Sequence, residues 1–272
     1  MDAGVKTKKP GTSHGARPQG QRSRDPMPPS KSVGIIGAGQ MGNGIAHVVA
    51  LAGYDVAHPR RSKKEAVDKA RTTIERNMAR QVSRGIITDA EMQAALKRIR
   101  HARPICTPIG EADLVIEAAT EDEAIKRKIF IDLCPKLKKS AMLATNTSSI
   151  SITRLASVTD RPERFIGIHF MNPVPMMQLV ELIRGIATED ETFRLARSFI
   201  ESLGKSIAVS EDFPAFIVNR ILLPMINEAV YTLYEGVGTV EIHRQGHAAW
   251  APTIRWVRWS LPTSSASTPA CR

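Results

Sequence analysis

The sequence predicts an α/β fold, a doubly wound and mostly parallel sheet followed by a helical segment. Three observations carry that expectation. Short β-branched runs alternate with helical stretches along residues 32–212, the order that places helices on both faces of one sheet. The run "ADLVIEAA" (112–119) is apolar almost throughout, as a strand buried on both faces must be. Between the first strand and the first helix stand glycines 37, 39 and 42, where the chain must turn sharply.

The elements follow in order. Residues 1–31 are rich in Gly and Pro and carry seven Lys and Arg against two Asp, which predicts disorder. Their prolines and glycines also spoil the amphipathic helix of a transit peptide, and Met27 is an alternative start to Met1. "SVGII" is the first strand, and the helix after it carries Ile45, Val48, Val49 and Ala52 and closes at Gly53. A charged helix runs through "SKKEAVDKARTTIERNMARQ" (62–81). After the apolar strand comes a helix over 124–137, then a strand in "AMLATNTSS" that ends in polar residues. "RFIGIHF" and "MQLVELIRG" are further strands, "ETFRLARSFIESLG" is a helix closed by Gly204, and "KSIAVSED" is the last strand. A long apolar helix is expected over 213–236.

Composition narrows the function. The formal net charge of +11 suggests nucleic acid or an anionic membrane, but the two ends, 1–31 and 242–272, supply +5 and +4 of it. The middle is nearly neutral, so no nucleic-acid partner is expected. Cys106, Cys134 and Cys271 lie far apart with no CxxC pair, which argues against metal sites and a disulfide framework and fits a reducing cytoplasm. No apolar run reaches the roughly 18 residues of a membrane helix.

Gly37, Gly39 and Gly42 form a GxGxxG that follows a strand and opens a helix, the context of a dinucleotide-binding, Rossmann-like turn. The first glycine permits the turn, the second lets backbone approach a pyrophosphate, and the third lets helix and strand pack closely. Ala38, Gln40 and Met41 lie between them, with the helix N-terminus facing the phosphates. A glycine-rich strand–helix turn without ligand is the plain alternative. The acid that holds the ribose hydroxyls is due about 20 residues on, where "YDVAHPRRSKK" stands. Pro59, Arg60 and Arg61 interrupt a strand there, and the arginines would suit a 2′-phosphate, keeping NADP beside NAD.

From Val33 to about Glu241 the chain resembles the 3-hydroxyacyl-CoA dehydrogenase family, its bacterial 3-hydroxybutyryl-CoA branch in particular. The likeness rests on "GAGQMGNGIA", "VIEAATEDEAIKRKIF", "NTSSISI", "GIHFMNPVPMMQLVE" and "FPAFIVNR". Other dehydrogenases with the glycine turn lack the His-Phe-x-Asn-Pro segment and its downstream Glu. The resemblance makes His169 the catalytic base, Glu181 the carboxylate that holds it, and Asn219 a contact of the reacting carbonyl. It sets Ser148 against both substrate and nicotinamide, Asn172 on the substrate side, and Glu121, Lys126 and Asn146 on the cofactor. It also implies oxidation of (3S)-3-hydroxyacyl-CoA with NAD in fatty acid or butanoate metabolism, by a homodimer. The residue types suit that chemistry. A histidine titrates near neutrality and can take a hydroxyl proton, worth about 10²–10⁴-fold, a carboxylate on its other nitrogen fixes the tautomer, and Ser and Asn can donate to a developing oxyanion. Alone, His169 reads as a core or capping histidine and Glu181 as a surface acid.

Residues 242–272 hold all three tryptophans, four Arg and no acid, with no period of 2 or 3.6, and are expected to be irregular. In the family a helical domain with a stretch like Leu-Gly-Ala-Asn-His-Pro-Met-Gly-Pro-Leu follows "YEGVGTVE" and forms the dimer. Written in GC-rich codons and read one nucleotide late, that stretch becomes Trp-Ala-Pro-Thr-Ile-Arg-Trp-Val-Arg-Trp, which is residues 250–259. Residues 57–61 likewise hide Ile-His-Asp-Val one base out of frame. The expectation is therefore a frameshifted tail and a local shift at the ribose acid. It leaves residues 32–212 as the NAD-binding domain and 213–241 as the first helix of a truncated helical domain. Two other readings stand beside the enzyme: a catalytically impaired remnant that keeps only the nucleotide-binding fold, and a Trp–Arg arm for nucleic acid or a protein partner.

Overall fold

A computed structural model describes residues 32–58, 64–100 and 109–241. The expectations for 1–31, for Pro59, Arg60 and Arg61, for Cys106, and for 242–272 with Cys271 fall outside the described residues. Eight described strands form one sheet: β1 (Ser32–Ile36), β2 (Asp55–Ala57), β3 (Ile99–Arg100), β4 (Leu114–Glu117), β5 (Met142–Thr145), β6 (Phe165–Phe170), β7 (Leu179–Arg184) and β8 (Ser206–Glu211). Their spatial order is β3-β2-β1-β4-β5-β6-β7-β8. The first six run parallel, β7 runs antiparallel to β6, and β8 parallels β7. The reversal has a simple cause. The link between β6 and β7 is too short for the crossover of a dozen or more residues that a parallel pair requires.

The helices cover both faces. On one side α1 (Gln40–Leu51), α2 (Lys64–Ser83), α3 (Asp89–Arg98) and α6 (Asp190–Ser202) supply Ile45, Val49, Met78, Ala95 and Phe199 to a core with β-strand residues such as Ile35 and Ile168. On the other, α4 (Glu123–Leu133) and α5 (Ile152–Ala156) bury Ile129, Phe130 and Leu155 against Val115, Leu143 and Phe165. The strand order reverses between β1 and β4, so a crevice opens at their carboxyl ends, the place where doubly wound sheets bind ligands.

Two expected helices differ at their ends. The one expected over 124–137 stops at Leu133 and continues as a 3-10 turn, Cys134–Lys136, because Pro135 has no N–H to carry the ladder on. The one expected over 213–236 begins only at Val218, as α7 (Val218–Tyr234). Before it, Ala215 and Phe216 take left-handed backbone conformations, φ 66° and 51°, which a right-handed helix cannot contain. Pro224 lies inside α7, which continues past it. Of the apolar residues along α7, Ile221 is 63% exposed and Leu223 and Val230 are also exposed, whereas Leu222, Met225 and Ile226 are half-buried.

Candidate active site

The glycine turn is shaped by sterics. Gly37 has φ +124°, and a Cβ there would lie 2.3 Å from the Ala118 carbonyl oxygen. A Cβ on Gly42 would lie 2.0 Å from the oxygen of Gly37, so helix and turn can close only on hydrogen. Gly39 is different: nothing stands within 4 Å of its would-be Cβ. It is the N-cap of α1, offers no side-chain cap, and no acid occupies the first turn. The free N–H groups and positive end of the helix dipole are thus open to an anion, the fit a pyrophosphate needs. His58 steadies the turn from β2, its Nε2 2.7 Å from the oxygen of Gly37.

A cleft of about 630 Å³ runs from this turn, lined by Gly39, Gln40 and Met41, past Glu121, Lys126, Asn146 and Ser148, to His169, Asn172 and Asn219. A second cavity of about 430 Å³ adjoins it, with Ala38, Asn77, Pro173 and Val174 in its wall, and Gln40 and Asn172 line both. Those two side chains meet, Gln40 Nε2 donating to Asn172 Oδ1 at 2.9 Å.

His169 and Glu181 are direct cross-strand partners on β6 and β7, a consequence of the antiparallel reversal. Nδ1 of His169 lies 2.7 Å from Oε2 of Glu181, which is wholly buried. A carboxylate only accepts, so Nδ1 donates to it, and in the neutral imidazole that leaves the lone pair on Nε2. The other oxygen of Glu181 accepts from the backbone N–H of Ile217 and Val218 at 3.0 and 2.9 Å. The left-handed pair at Ala215 and Phe216 is what turns those amides onto the carboxylate, and the Phe216 ring lies 5.9 Å from the imidazole.

Across the cleft, one oxygen of Glu121 accepts from the hydroxyls of Thr147, Ser148 and Ser149 and from the amides of Ser148 and Ser149, at 2.7–3.1 Å. Burial would raise its pKa, but these bonds and the Lys126 charge outweigh it and hold the carboxyl below the usual range. The Ser148 hydroxyl therefore donates to Glu121 and retains its lone pairs, while its carbonyl receives Asn219 Nδ2 at 3.4 Å. Asn146 Oδ1 accepts from the Phe170 amide at 2.8 Å, tying β5 to β6 beside the histidine.

The side chains expected at the site border this cleft except Ala38, which lines the adjoining cavity, and Glu181, which stands behind His169. Lys126 borders the cleft from below. It is almost fully buried, and its Nζ donates to Glu117 at 2.6 Å, with Glu121 only 4.0 Å away. Glu117 escapes a sequence reading, being the last letter of an apolar strand. It accepts from Lys126, Thr145 Oγ1 and the Ala119 amide, so one buried carboxylate joins β4, β5 and α4 beneath the cleft. A charge closing a strand that is otherwise apolar was the available signal.

Residues 32–213 match the 3-hydroxyacyl-CoA dehydrogenase NAD binding domain. The chain belongs to the 3-hydroxyacyl-CoA dehydrogenase family. A 3-hydroxybutyryl-CoA dehydrogenase of Bradyrhizobium diazoefficiens is 63% identical over 211 residues, covering 78% of this chain and 71% of the relative. Among solved structures, the (S)-3-hydroxybutyryl-CoA dehydrogenase of Ralstonia eutropha superposes with a TM-score of 0.77 at 42% identity, covering 82% of this chain and 78% of that one. FadB2 of Mycobacterium tuberculosis gives a TM-score of 0.77 at 36% identity, covering 81% and 77%. As a member of this oxidoreductase family the chain uses NAD(H). No helix among the described residues is long and apolar enough to cross a membrane.

Proposed function

We propose that the chain interconverts (3S)-3-hydroxyacyl-CoA and 3-oxoacyl-CoA, with the four-carbon 3-hydroxybutyryl-CoA as preferred substrate, in fatty acid or butanoate metabolism in the cytoplasm. The observation that carries this reading is the His169–Glu181 pair at the wall of a cleft that begins at the glycine turn. NAD bound along the turn and cleft supplies the hydride acceptor. Gly39 and the amides of Gln40, Met41 and Gly42 would hold its pyrophosphate, and Glu121, Lys126, Asn146 and Ser148 would stand toward its nicotinamide end. His169 takes the hydroxyl proton at Nε2 as hydride leaves C3, and Glu181 keeps the imidazole in that tautomer and stabilises the imidazolium. Ser148 and Asn219 flank the reacting oxygen: the second N–H of the Asn219 amide can donate to charge that develops there, and the Ser148 hydroxyl can do so once it turns from Glu121. Asn172 and the adjoining cavity take the thioester arm, since a CoA ester needs room beyond a nicotinamide cleft. In this reading α7 is the first helix of the helical domain that in the family covers the cleft and forms the homodimer.

A second reading rests on the exposed apolar residues of α7, Ile221, Leu223 and Val230: a catalytically impaired chain that keeps only the nucleotide-binding fold. One assay separates the two. Purified chain is given NAD with the (S) or (R) isomer of 3-hydroxybutyryl-CoA, and NADH formation is followed alongside NADH binding. Turnover of the (S) isomer alone supports the enzyme, NADH binding without turnover supports the impaired chain, and equal use of both isomers contradicts the assigned site.

A further inference from the structure

The segment 171–178 between β6 and β7 forms a wall of both cavities: Met171, Asn172 and Met177 border the cleft, and Asn172, Pro173, Val174 and Pro175 border its neighbour. The segment carries its own turn, the amides of Met176 and Met177 both donating to the oxygen of Pro173 at 3.0 Å, and side chains fasten it to the rest of the fold at three points. Gln40 holds Asn172. Val174 rests on α1 at Gly44, where even a Cβ would come within 2.9 Å of it. The third fastening is Lys205, at the start of β8, whose Nζ donates to the backbone oxygens of Val174 and Met177 at 2.7 Å each.

Lys205 is half-buried, and among the described residues no carboxylate lies within ion-pairing distance of it. Burial lowers its pKa to about 8, so the charge is held there at a cost that two carbonyl bonds offset. A lysine meant only to solvate the surface would extend its ammonium into water. The two bonds are charge-assisted, about twice the strength of neutral ones, and they span the bend between Val174 and Met177.

We propose that Lys205 is a positioning residue for the acyl-CoA substrate: its ammonium pins the 171–178 segment and so sets the shape of the wall shared by cleft and adjoining cavity. The substrate part of this inference rests on the function proposed above. The cofactor end of the cleft is built from α1, β4 and β5; the hydrogen bonds of the Lys205 ammonium go to the 171–178 segment, and its charge is felt on α1 at His47, away from the glycine turn. Its loss acts on substrate and leaves NAD(H) alone.

The test compares the full chain with Lys205→Met, which keeps the stem but loses the donors, and Lys205→Arg, which keeps charge and donors. Dissociation constants for acetoacetyl-CoA and NADH, KM and kcat for acetoacetyl-CoA reduction, and amide exchange across 171–178 are measured for each. Lys205→Met is expected to weaken acetoacetyl-CoA at least about tenfold, with NADH affinity and kcat each changed by less than about threefold. Exchange across 171–178 rises in the same variant, and Lys205→Arg recovers most of both effects. Unchanged exchange in Lys205→Met overturns the pin whatever the substrate. Faster exchange with unchanged acetoacetyl-CoA affinity overturns the substrate role. A parallel fall in NADH affinity also overturns it, since the residue would then act on the fold as a whole. Should the unsubstituted chain bind NADH but no acyl-CoA, the proposed function fails, while the exchange data still decide the pin.

Discussion

At the scale of single residues, the site depends on carboxylates that would not be tolerated without their partners. Glu117 and Lys126 are both buried, and each is compensated chiefly by the other at 2.6 Å. Removing one charge leaves the other stranded in a low-dielectric interior, which typically costs about 3–5 kcal/mol. Glu117→Gln is therefore expected to lower stability by about 3 kcal/mol in urea unfolding, with a matching fall in Tm. A loss below about 1 kcal/mol would show that Lys126 has another way to keep its charge solvated. Glu121 differs in being exposed to the cleft and in drawing its support from hydroxyls and amides of 147–149, so it can face a ligand while remaining ionised. Glu181 combines the two designs, with a histidine on one oxygen and a helix start on the other.

At the scale of elements, the start of α7 is where backbone strain meets chemistry. Ala215 at φ 66° occupies a conformation that costs a residue with a Cβ about 1–2 kcal/mol. The amides of Ile217 and Val218 reach Glu181 only because the chain bends there. Ala215→Gly should accordingly stabilise the chain by up to about 1 kcal/mol and leave the His169–Glu181 geometry intact. A destabilised variant in thermal melts would mean that the Ala215 methyl contributes more than its strain costs. The same scale holds an element that the residue patterns did not bring out. Helix α3 opens with a capping box in which Thr88 and Glu91 satisfy each other's backbone amides, and "TDAE" carries that signature in plain view. The two-residue β3 that follows has no comparable signal, because it is defined only by its pairing with β2.

At the scale of the whole molecule, the alternation of strands and helices and the glycine turn were legible because they are local in sequence. The His169–Glu181 pair was legible only through family resemblance. Its physical basis is a strand reversal between β6 and β7 that periodicity cannot reveal, since alternation reads the same in either direction. Glu117 was legible only as a charge closing an apolar strand, and Lys205 not at all, as their partners lie on other elements. Titration is a property of the whole fold. Burial holds the pKa of His47 and of His58 below the ordinary histidine value. The folded chain thus refuses protons that the unfolded chain accepts, and their contribution is complete above about pH 6.5 and lost as pH falls. Asp212 adds a second loss below about pH 4. Burial would raise its pKa, but hydrogen bonds from residues 151–153 hold it down. Urea unfolding at pH 7.5, 6 and 5 should show stability falling with each step, and a rise toward pH 5 would contradict the buried neutral histidines. The central claim, that His169 is the base of an NAD-dependent dehydrogenase, is tested most directly by acetoacetyl-CoA reduction with the chain and its His169→Gln variant, each with its NADH affinity measured. The account predicts a fall in kcat of about 10²–10⁴-fold with NADH affinity unchanged within about threefold. Equal turnover by the two chains would contradict it.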